Sequence, residues 1–250
     1  LQGAVEAAWM GLIRPILVGP PAKIRDVATS NSIDIADFTV VEAAHSHDAA
    51  AKAVELVRQG KVDALMKGSL HSDDLLAAAV AREAGLRTDR RASHVFVMDV
   101  PAYDRPLLMT DCVVNIFPAL LDKRDIAQNA INLAHSIGIA RPRVAILSAV
   151  ETVNPAIPGT VDAAALCKMA DRGQITGGIL DGPLAYDNAI SLSSATNKGI
   201  VSDVAGSPDV LLVPSLEAGN MIYKQLVYMA NAECAGLVLG MRVPIVLTSR

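Results

Sequence analysis

Several short segments of the chain carry residue types that could act on an anion. The last of them is Pro244-Ile245-Val246-Leu247-Thr248-Ser249-Arg250, an apolar run that ends in a hydroxyl beside a guanidinium. Such a pair suits an anionic substrate, above all a phosphate, because the guanidinium grips two oxygens at once and the hydroxyl adds a donor. Met66-Lys67-Gly68-Ser69-Leu70-His71-Ser72 follows a short apolar stretch and opens a helical pattern. Gly68 permits close backbone approach, Ser69 or Ser72 is suited to capping the helix, and Lys67 adds a point charge where free helical N–H groups attract anions. An ordinary strand-to-helix turn, with Asp73 and Asp74 complementing the helix dipole, has the same pattern. A Walker loop is not matched, since GxxxxGK[ST] is absent.

Arg87, Arg90 and Arg91 sit on one loop-like stretch. Three guanidiniums could clamp a phosphate, and a solvated loop with surface ion pairs would look alike. Thr110-Asp111 with Asn115, and Asp181-Gly182-Pro183, follow apolar stretches. Paired carboxylates there could bind Mg²⁺ or exchange protons, although Asp and Asn are also the usual turn formers. Asp181 reads as a residue lining a site, and Asp187 as turn chemistry. The turn Pro214-Ser215-Leu216-Glu217-Ala218-Gly219-Asn220 closes another apolar strand, which marks Gly219 and Asn220 as binding residues.

Several chemistries lack their signatures. Among the five histidines only His45 and His47 lie close together, and they diverge at a helix start, so no metal site is expected. No GxSxG and no GxGxxG occurs. The three cysteines are far apart and odd in number, which indicates neither a disulfide framework nor zinc and points to a reducing cytoplasm. Cys167 and Cys234 read as small core residues. Net charge is −4 with both signs scattered, so no nucleic-acid or anionic-membrane footprint is present. No apolar run approaches the roughly 20 residues of a membrane span.

The elements that must position these residues alternate between helix and strand. Apolar residues make up 52% of the chain but aromatics only 3%, so the core is built from Ala, Val, Leu, Ile and Met. That composition suits helices packed on buried parallel strands. Strands are expected at 15–18, 39–42, 64–66, 95–99, 107–110, 144–147, 178–181, 210–213, 236–239 and 243–247. Strong helices are expected at 47–59, 70–83, 123–137, 160–172 and from Met221 to about Ala230. The alternation argues for α/β with a largely parallel sheet, whose ligands bind beyond the carboxyl ends of the strands. The chain begins at Leu1 and stops just after a strand, so both ends of the native protein are expected to lie outside this sequence.

Seven segments together resemble the phosphate acetyl/butyryltransferase family. They are 64–72, 93–98, Thr110-Asp111 with Asn115, 144–148, 178–187, 212–220 and 244–250, in family order and spanning nearly the whole chain. The Lys67-Gly68-Ser69-Leu70-His71 and Val246-Leu247-Thr248-Ser249-Arg250 forms look closer to the butyryl-type branch, including the transferase half of fusions to a hydratase-like domain. The resemblance implies two three-layer α/β lobes with a cleft between them, similar to the isocitrate/isopropylmalate dehydrogenase architecture. One lobe would comprise 1–99 with 237–250 and the other 100–236. It also implies a homodimer that exchanges an acyl group between CoA and inorganic phosphate. CoA is then a substrate, and no cofactor stays bound. The catalytic pair implied is Ser249, hydrogen-bonding the reacting acyl group, and Arg250, holding the phosphate. An Asp shortly beyond Arg250 is implied as base for the CoA thiol, past the last residue of this sequence. The acetyl-type branch has an Arg in the helix after His71-Ser72, where this chain has Leu75-Leu76-Ala77-Ala78-Ala79-Val80; Arg87, Arg90 or Arg91 would have to compensate.

Two other readings fit parts of the chain. A metal- and NAD-dependent decarboxylating dehydrogenase would need clustered Asp residues and a Tyr-Lys pair, whereas Tyr223-Lys224 are adjacent and point apart on a helix. A non-catalytic domain binding CoA or acyl groups would need no base at all.

Overall fold

A computed structural model describes residues 1–82 and 85–247. In chain order the elements are α1 (Gln2–Trp9), β1 (Ile16–Gly19), α2 (Pro21–Ser30), β2 (Thr39–Glu42), α3 (Ser46–Arg58), β3 (Leu65–Met66), α4 (Ser72–Val80), β4 (Ser93–Asp99) and β5 (Leu107–Thr110). They continue as α5 (Leu120–Ser136), β6 (Arg143–Leu147), α6 (Pro158–Asp171), β7 (Ile179–Leu184), α7 (Tyr186–Ile190), α8 (Leu192–Asn197), β8 (Val210–Leu212), α9 (Leu216–Met229), β9 (Glu233–Leu239) and β10 (Ile245–Val246). The chain divides into two compact units, Leu1–Arg87 with Arg242–Arg250, and Thr88–Met241.

In the first unit β1 pairs with β2, and β3 pairs with β10, both in parallel. Helix α3 shows why these residues are helical. Ala50, Val54 and Val57 recur on one face and are buried. The His45 ring accepts the Asp48 N–H at the N-terminus, and the turn after the helix contains Gly60 at φ +68°. A left-handed residue there stops the helix, and glycine adopts that conformation without a Cβ penalty.

In the second unit the strands run β9-β4-β5-β8-β6-β7. Strands β5, β8, β6 and β7 are mutually parallel, while β4 is antiparallel to both β5 and β9. The pairing is largely parallel, as expected, apart from β4, which runs against both of its neighbours. The reason is the connection Val100–Pro106, too short for the dozen or more residues a parallel crossover needs. Strands β4 and β9 thereby belong with β5, so the division falls after Arg87 and Met241 rather than at 99 and 236.

Both faces of this sheet are covered, as its uninterrupted apolar strands require. Leu107, Met109, Leu211 and Val213 pack in one cluster, joined by Ile222, Tyr223 and Leu226 of α9. Leu108, Val144, Ile146, Val210 and Leu212 pack in the other, against Ile126, Ala130 and Ile131 of α5 and Ala163 and Leu166 of α6. Neighbouring residues of one strand go to opposite faces, as the pleat dictates. The predicted helices and strands occur in the expected order with shifted ends: α9 begins at Leu216 rather than Met221, β9 at Glu233 rather than Gly236, α4 spans Ser72–Val80 rather than 70–83, and β7 runs on through Pro183 to Leu184.

His94 on β4 is fully buried, and its Nδ1 has no hydrogen-bond partner among the described residues. Its ring stands edge-on to Phe96, centroids 4.4 Å apart, and Phe96 stacks on Tyr223 at 4.2 Å. On the paired strand β9 the residue beneath is Gly236, where a Cβ would lie 2.5 Å from His94 Nε2. Burial lowers the His94 pKa from 6.5 to about 4, against the opposing pull of the Asp111 carboxylate.

Two outcomes follow from this packing. Gly236→Ala should cost about 1–3 kcal/mol in chemical denaturation, and less in a His94→Ala background; an equal cost in both backgrounds would remove the imidazole as the cause. The depressed His94 pKa also sets a pH dependence. The unfolded chain takes up this proton as pH falls below 6.5, the folded chain only near 4, so acidification through that window favours unfolding. The contribution is full above pH 6.5, and roughly 3 kcal/mol is lost on reaching pH 4. His94→Leu should flatten that slope in denaturation series run at several pH values.

Candidate functional site

The first unit brings two of the marked segments together through strand pairing. Leu65 and Met66 lie in register with Ile245 and Val246, and the Lys67 N–H donates to the Val246 carbonyl at 2.9 Å. The strands are parallel, so Lys67-Gly68-Ser69 leaves β3 on the side where the chain leaves β10 toward Ser249 and Arg250. Residues 248–250 lie outside the described residues, and the two catalytic expectations with them.

Lys67 is not an exposed point charge. It is buried, and its ammonium turns into its own loop, donating to the Leu70 carbonyl at 3.3 Å and the Gly68 carbonyl at 3.5 Å. Ser69 is exposed, and a Cβ at Gly68 would meet no described atom within 4 Å, so the loop is open to approach there. Helix α4 begins at Ser72 with His71 as its N-cap, and no side chain caps it. The N-cap position thus falls on His71 rather than on Ser69 or Ser72, the residues the sequence marked for capping. Asp73 and Asp74 occupy the first turn, and Asp74 lies 3.5 Å from His47 Nε2.

In the second unit the carboxyl ends of β5 and β8 and the start of β4 form one edge, because Val95 pairs with Thr110 and Thr110 with Leu212. The loop after β5 is organised by Asp111. Its Oδ1 accepts the N–H groups of Val113 and Val114, each at 2.9 Å, and its Oδ2 accepts the Asn115 N–H at 3.2 Å. Asn115 Nδ2 donates to the same Oδ2 at 2.6 Å and to the Ala92 carbonyl at 2.9 Å. Its Oδ1 accepts Arg91 Nε at 2.7 Å. The sequence named Arg91 and Asn115 separately, and the structure makes them direct partners.

The other marked arginines go elsewhere. Arg87 is exposed and belongs to the first unit. Arg90 lines a small cleft with Asp89, Arg124, Asp125 and Gln128. With the Asn132 amide turned so that its oxygen faces the arginine, Arg90 Nη1 donates to it at 2.6 Å. Arg90 and Arg91 thus face different partners, and the two do not form one clamp.

Gly219 and Asn220 serve the docking of α9. Ser215 caps the helix by accepting the Ala218 N–H, and the Leu216 N–H donates to the Ile116 carbonyl at 3.0 Å. A Cβ at Gly219 would lie 2.8 Å from both Cys112 Sγ and Val213 Cγ2, so glycine is required for the helix to approach this closely. Asn220 Nδ2 points to the Cys112 carbonyl at 3.4 Å. Asp181 lies within β7, opposite Ala145, and its carboxylate accepts the Gly182 N–H. It is not at a strand end, because the strand continues past it.

The cysteines also differ from expectation. Cys234 is exposed on β9, whereas Cys112 is buried and its thiol is pushed far above the ordinary range by burial and the adjacent Asp111 carboxylate. Asp111 was marked in the sequence as a turn, metal-binding or acid-base residue. Its role as the hub of a buried network is set by contacts that sequence spacing does not reveal. Among the described residues no group of three or more His, Cys, Asp or Glu side chains is placed to hold a metal ion, and no helix is long and apolar enough to cross a membrane.

Comparisons with known proteins bear on this geometry. The family model described as phosphate acetyl/butaryl transferase matches residues 42–250. A "Phosphate acetyltransferase" of Rhizobium meliloti is 61% identical over 250 residues, all of this chain and 79% of that protein. A "Phosphate butyryltransferase" of Clostridium acetobutylicum is 43% identical over the whole of this chain and 83% of its own length. Among solved structures, a branched-chain phosphotransacylase from Enterococcus faecalis V583 superposes with a TM-score of 0.80 at 28% identity, covering 94% of this chain and 91% of the other. A match over most of the chain, with relatives of this identity aligned along its whole length, means that the chain belongs to the phosphate acetyl/butyryltransferase family.

Proposed function

We propose that this chain transfers an acyl group between coenzyme A and inorganic phosphate. The observation that carries the reading is the family match across residues 42–250. The reaction is acyl-CoA plus phosphate giving acyl phosphate plus CoA, within the acetyl-to-butyryl range. In the direction of acyl-CoA synthesis, the CoA thiolate adds to the carbonyl carbon of an acyl phosphate. The carbonyl oxygen takes up negative charge, and the C–O bond to phosphate then breaks, releasing phosphate. Such a step needs charge neutralisation on the phosphate, donors at the carbonyl oxygen and alignment of the two substrates.

Arg250 supplies the bidentate grip on phosphate, and Ser249 donates to the acyl oxygen. The Lys67-Gly68-Ser69 turn and His71, which follow the strand paired with β10, add further groups of the first unit. Arg91, held by the Asn115 amide oxygen, supplies the guanidinium of the second unit. Arg87 and Arg90, marked in the sequence as further phosphate contacts, take no part in this reading, since Arg90 faces a separate cleft, and Asp181, Gly219 and Asn220 support the substrate-facing edge from behind. CoA enters as substrate rather than as a bound cofactor. The architecture is the two-lobed one of isocitrate and isopropylmalate dehydrogenases, in a cytoplasmic enzyme. The dehydrogenase reading is weakened by Tyr223, whose ring is stacked on Phe96 within the core rather than paired with Lys224.

The enzyme is a homodimer in this proposal, with a second copy seated on α9. Met221, Tyr228 and Met229 recur at helical spacing on that helix and are each more than two-thirds exposed, an apolar surface of the kind buried in subunit interfaces.

The decisive assay is phosphate-dependent release of free thiol from acetyl-, propionyl- and butyryl-CoA. Arg250→Ala should lower kcat/KM by about 100-fold or more, and unchanged turnover in that variant would sink the role given to Arg250. Light scattering should report a dimer for the unaltered chain and a monomer for Tyr228→Glu combined with Met229→Glu; a monomeric unaltered chain at micromolar concentration would remove the dimer.

A further inference from the structure

The loop at Arg91 is held on every side but one. The Arg91 N–H donates to Asp125 Oδ2 at 3.0 Å, and its carbonyl accepts Asn129 Nδ2 at 2.9 Å. Its Nε donates to Asn115 Oδ1 at 2.7 Å. Behind it, Asn115 and Asp111 are 3% and 2% exposed, and each of their side-chain oxygens and the Asn115 Nδ2 has a partner. A buried polar chain satisfied at every atom is rigid, and an anionic carboxylate on one side of the Asn115 amide polarises its oxygen into a better acceptor. The chain ends at the Arg91 side chain, which is 54% exposed. Among the described residues its Nη groups have no hydrogen-bond partner.

The nearest carboxylate, Asp122, lies 3.8 Å from Nε. That carboxylate is already engaged, since its Oδ2 accepts the Ala119 N–H at 3.0 Å at the start of α5. A surface contact of that length contributes little. A buried relay of this kind is more than a solvated arginine needs, and its geometry leaves the two-pronged end of the guanidinium facing outward at the ligand-binding edge of the strands.

We propose that Asp111 and Asn115 are positioning residues that orient Arg91 so that its Nη groups grip a phosphoryl group of a substrate. The proposal rests on the acyl-transfer reading and refines it: of the three marked arginines, Arg91 is the one built for this task. The phosphoryl group belongs either to inorganic phosphate and acyl phosphate, or to the phosphates of CoA. Asn115 and Asp111 touch no substrate and act through Arg91 alone.

The test is steady-state kinetics on the full chain with phosphate, CoA and dephospho-CoA varied separately. Arg91→Ala leaves the buried Asn115 Oδ1 without its donor, so it should lower the melting temperature while the enzyme stays folded at the assay temperature, and it should raise the KM of one phosphorylated substrate about tenfold. A rise for phosphate alone assigns the inorganic group. A rise for CoA that vanishes with dephospho-CoA assigns the 3′-phosphate, and one that persists assigns the pyrophosphate. Arg91→Lys keeps the charge but not the fork and should recover little, whereas added guanidinium ion should partly restore Arg91→Ala. Asn115→Ala should raise the same KM, and the double variant should be no worse than Arg91→Ala, which a merely structural role for Asn115 would not produce. KM values within twofold of the unaltered enzyme in Arg91→Ala would overturn the proposal, as would independent, multiplying effects of the two substitutions. If the unaltered chain shows no acyl exchange, the acyl-transfer reading has failed instead. Calorimetric titration with phosphate and with CoA then decides on Arg91 separately, equal affinities for the unaltered chain and Arg91→Ala counting against it.

Discussion

Asp111 ends a strand that is buried along its whole length, and a carboxylate in that position must find partners or unfold its surroundings. It finds three backbone N–H groups and one side-chain amide within the next few residues. This closes the loop after β5 into a fixed shape, from which the rest of the edge follows. The loop carbonyl of Cys112 faces Asn220, that of Ile116 receives the first N–H of α9, and Asn115 reaches back to the residues that begin β4. A sheet with both faces covered confines its chemistry to the strand ends, and here one buried anion organises such an end.

Small residues set the distances at the same edge. Helix α9 lies on Cys112 and Val213 only because Gly219 has no Cβ, and the His94 ring fits over β9 only because Gly236 has none. Cys112 is consequently shut away from solvent, its thiol held protonated, so it packs rather than reacts. The same burial keeps His94 neutral, which ties the stability of the β4–β9 pair to pH.

Each unit, taken by itself, carries a different kind of group. The first offers an open loop at Gly68 with the Lys67 ammonium folded into it, beside the strand that leads to Ser249 and Arg250. The second offers a guanidinium held from behind by a buried relay. Transfer between a thioester and phosphate requires both charge neutralisation and alignment, and fixed groups supply these without reorganising during the reaction.

Much of this was legible in the residues alone. The short apolar runs at 107–110, 144–147 and 210–213 read as buried strands by their length and flanking residues, and the periodic apolar residues of 47–59 and 123–137 read as helices, because an amphipathic helix imposes its period locally. The ordered set of short segments was enough to identify the family and included Asn115, while the cluster of three arginines on one loop marked Arg91. Other features depended on contacts between residues remote in sequence. The reversal of β4 follows from a short connection meeting two neighbours. The unlike partners of Arg90 and Arg91 follow from which side chains α5 and the β5 loop bring near them. The placement of Asp181 within β7 depends on pairing with β6, and the closeness of Arg91 to Asn115 on two strands lying side by side. Local periodicity determines elements and composition determines the kind of core; which polar atoms meet is decided only when strand order and helix approach are set, since a hydrogen bond depends on tenths of an ångström that no spacing along the chain encodes.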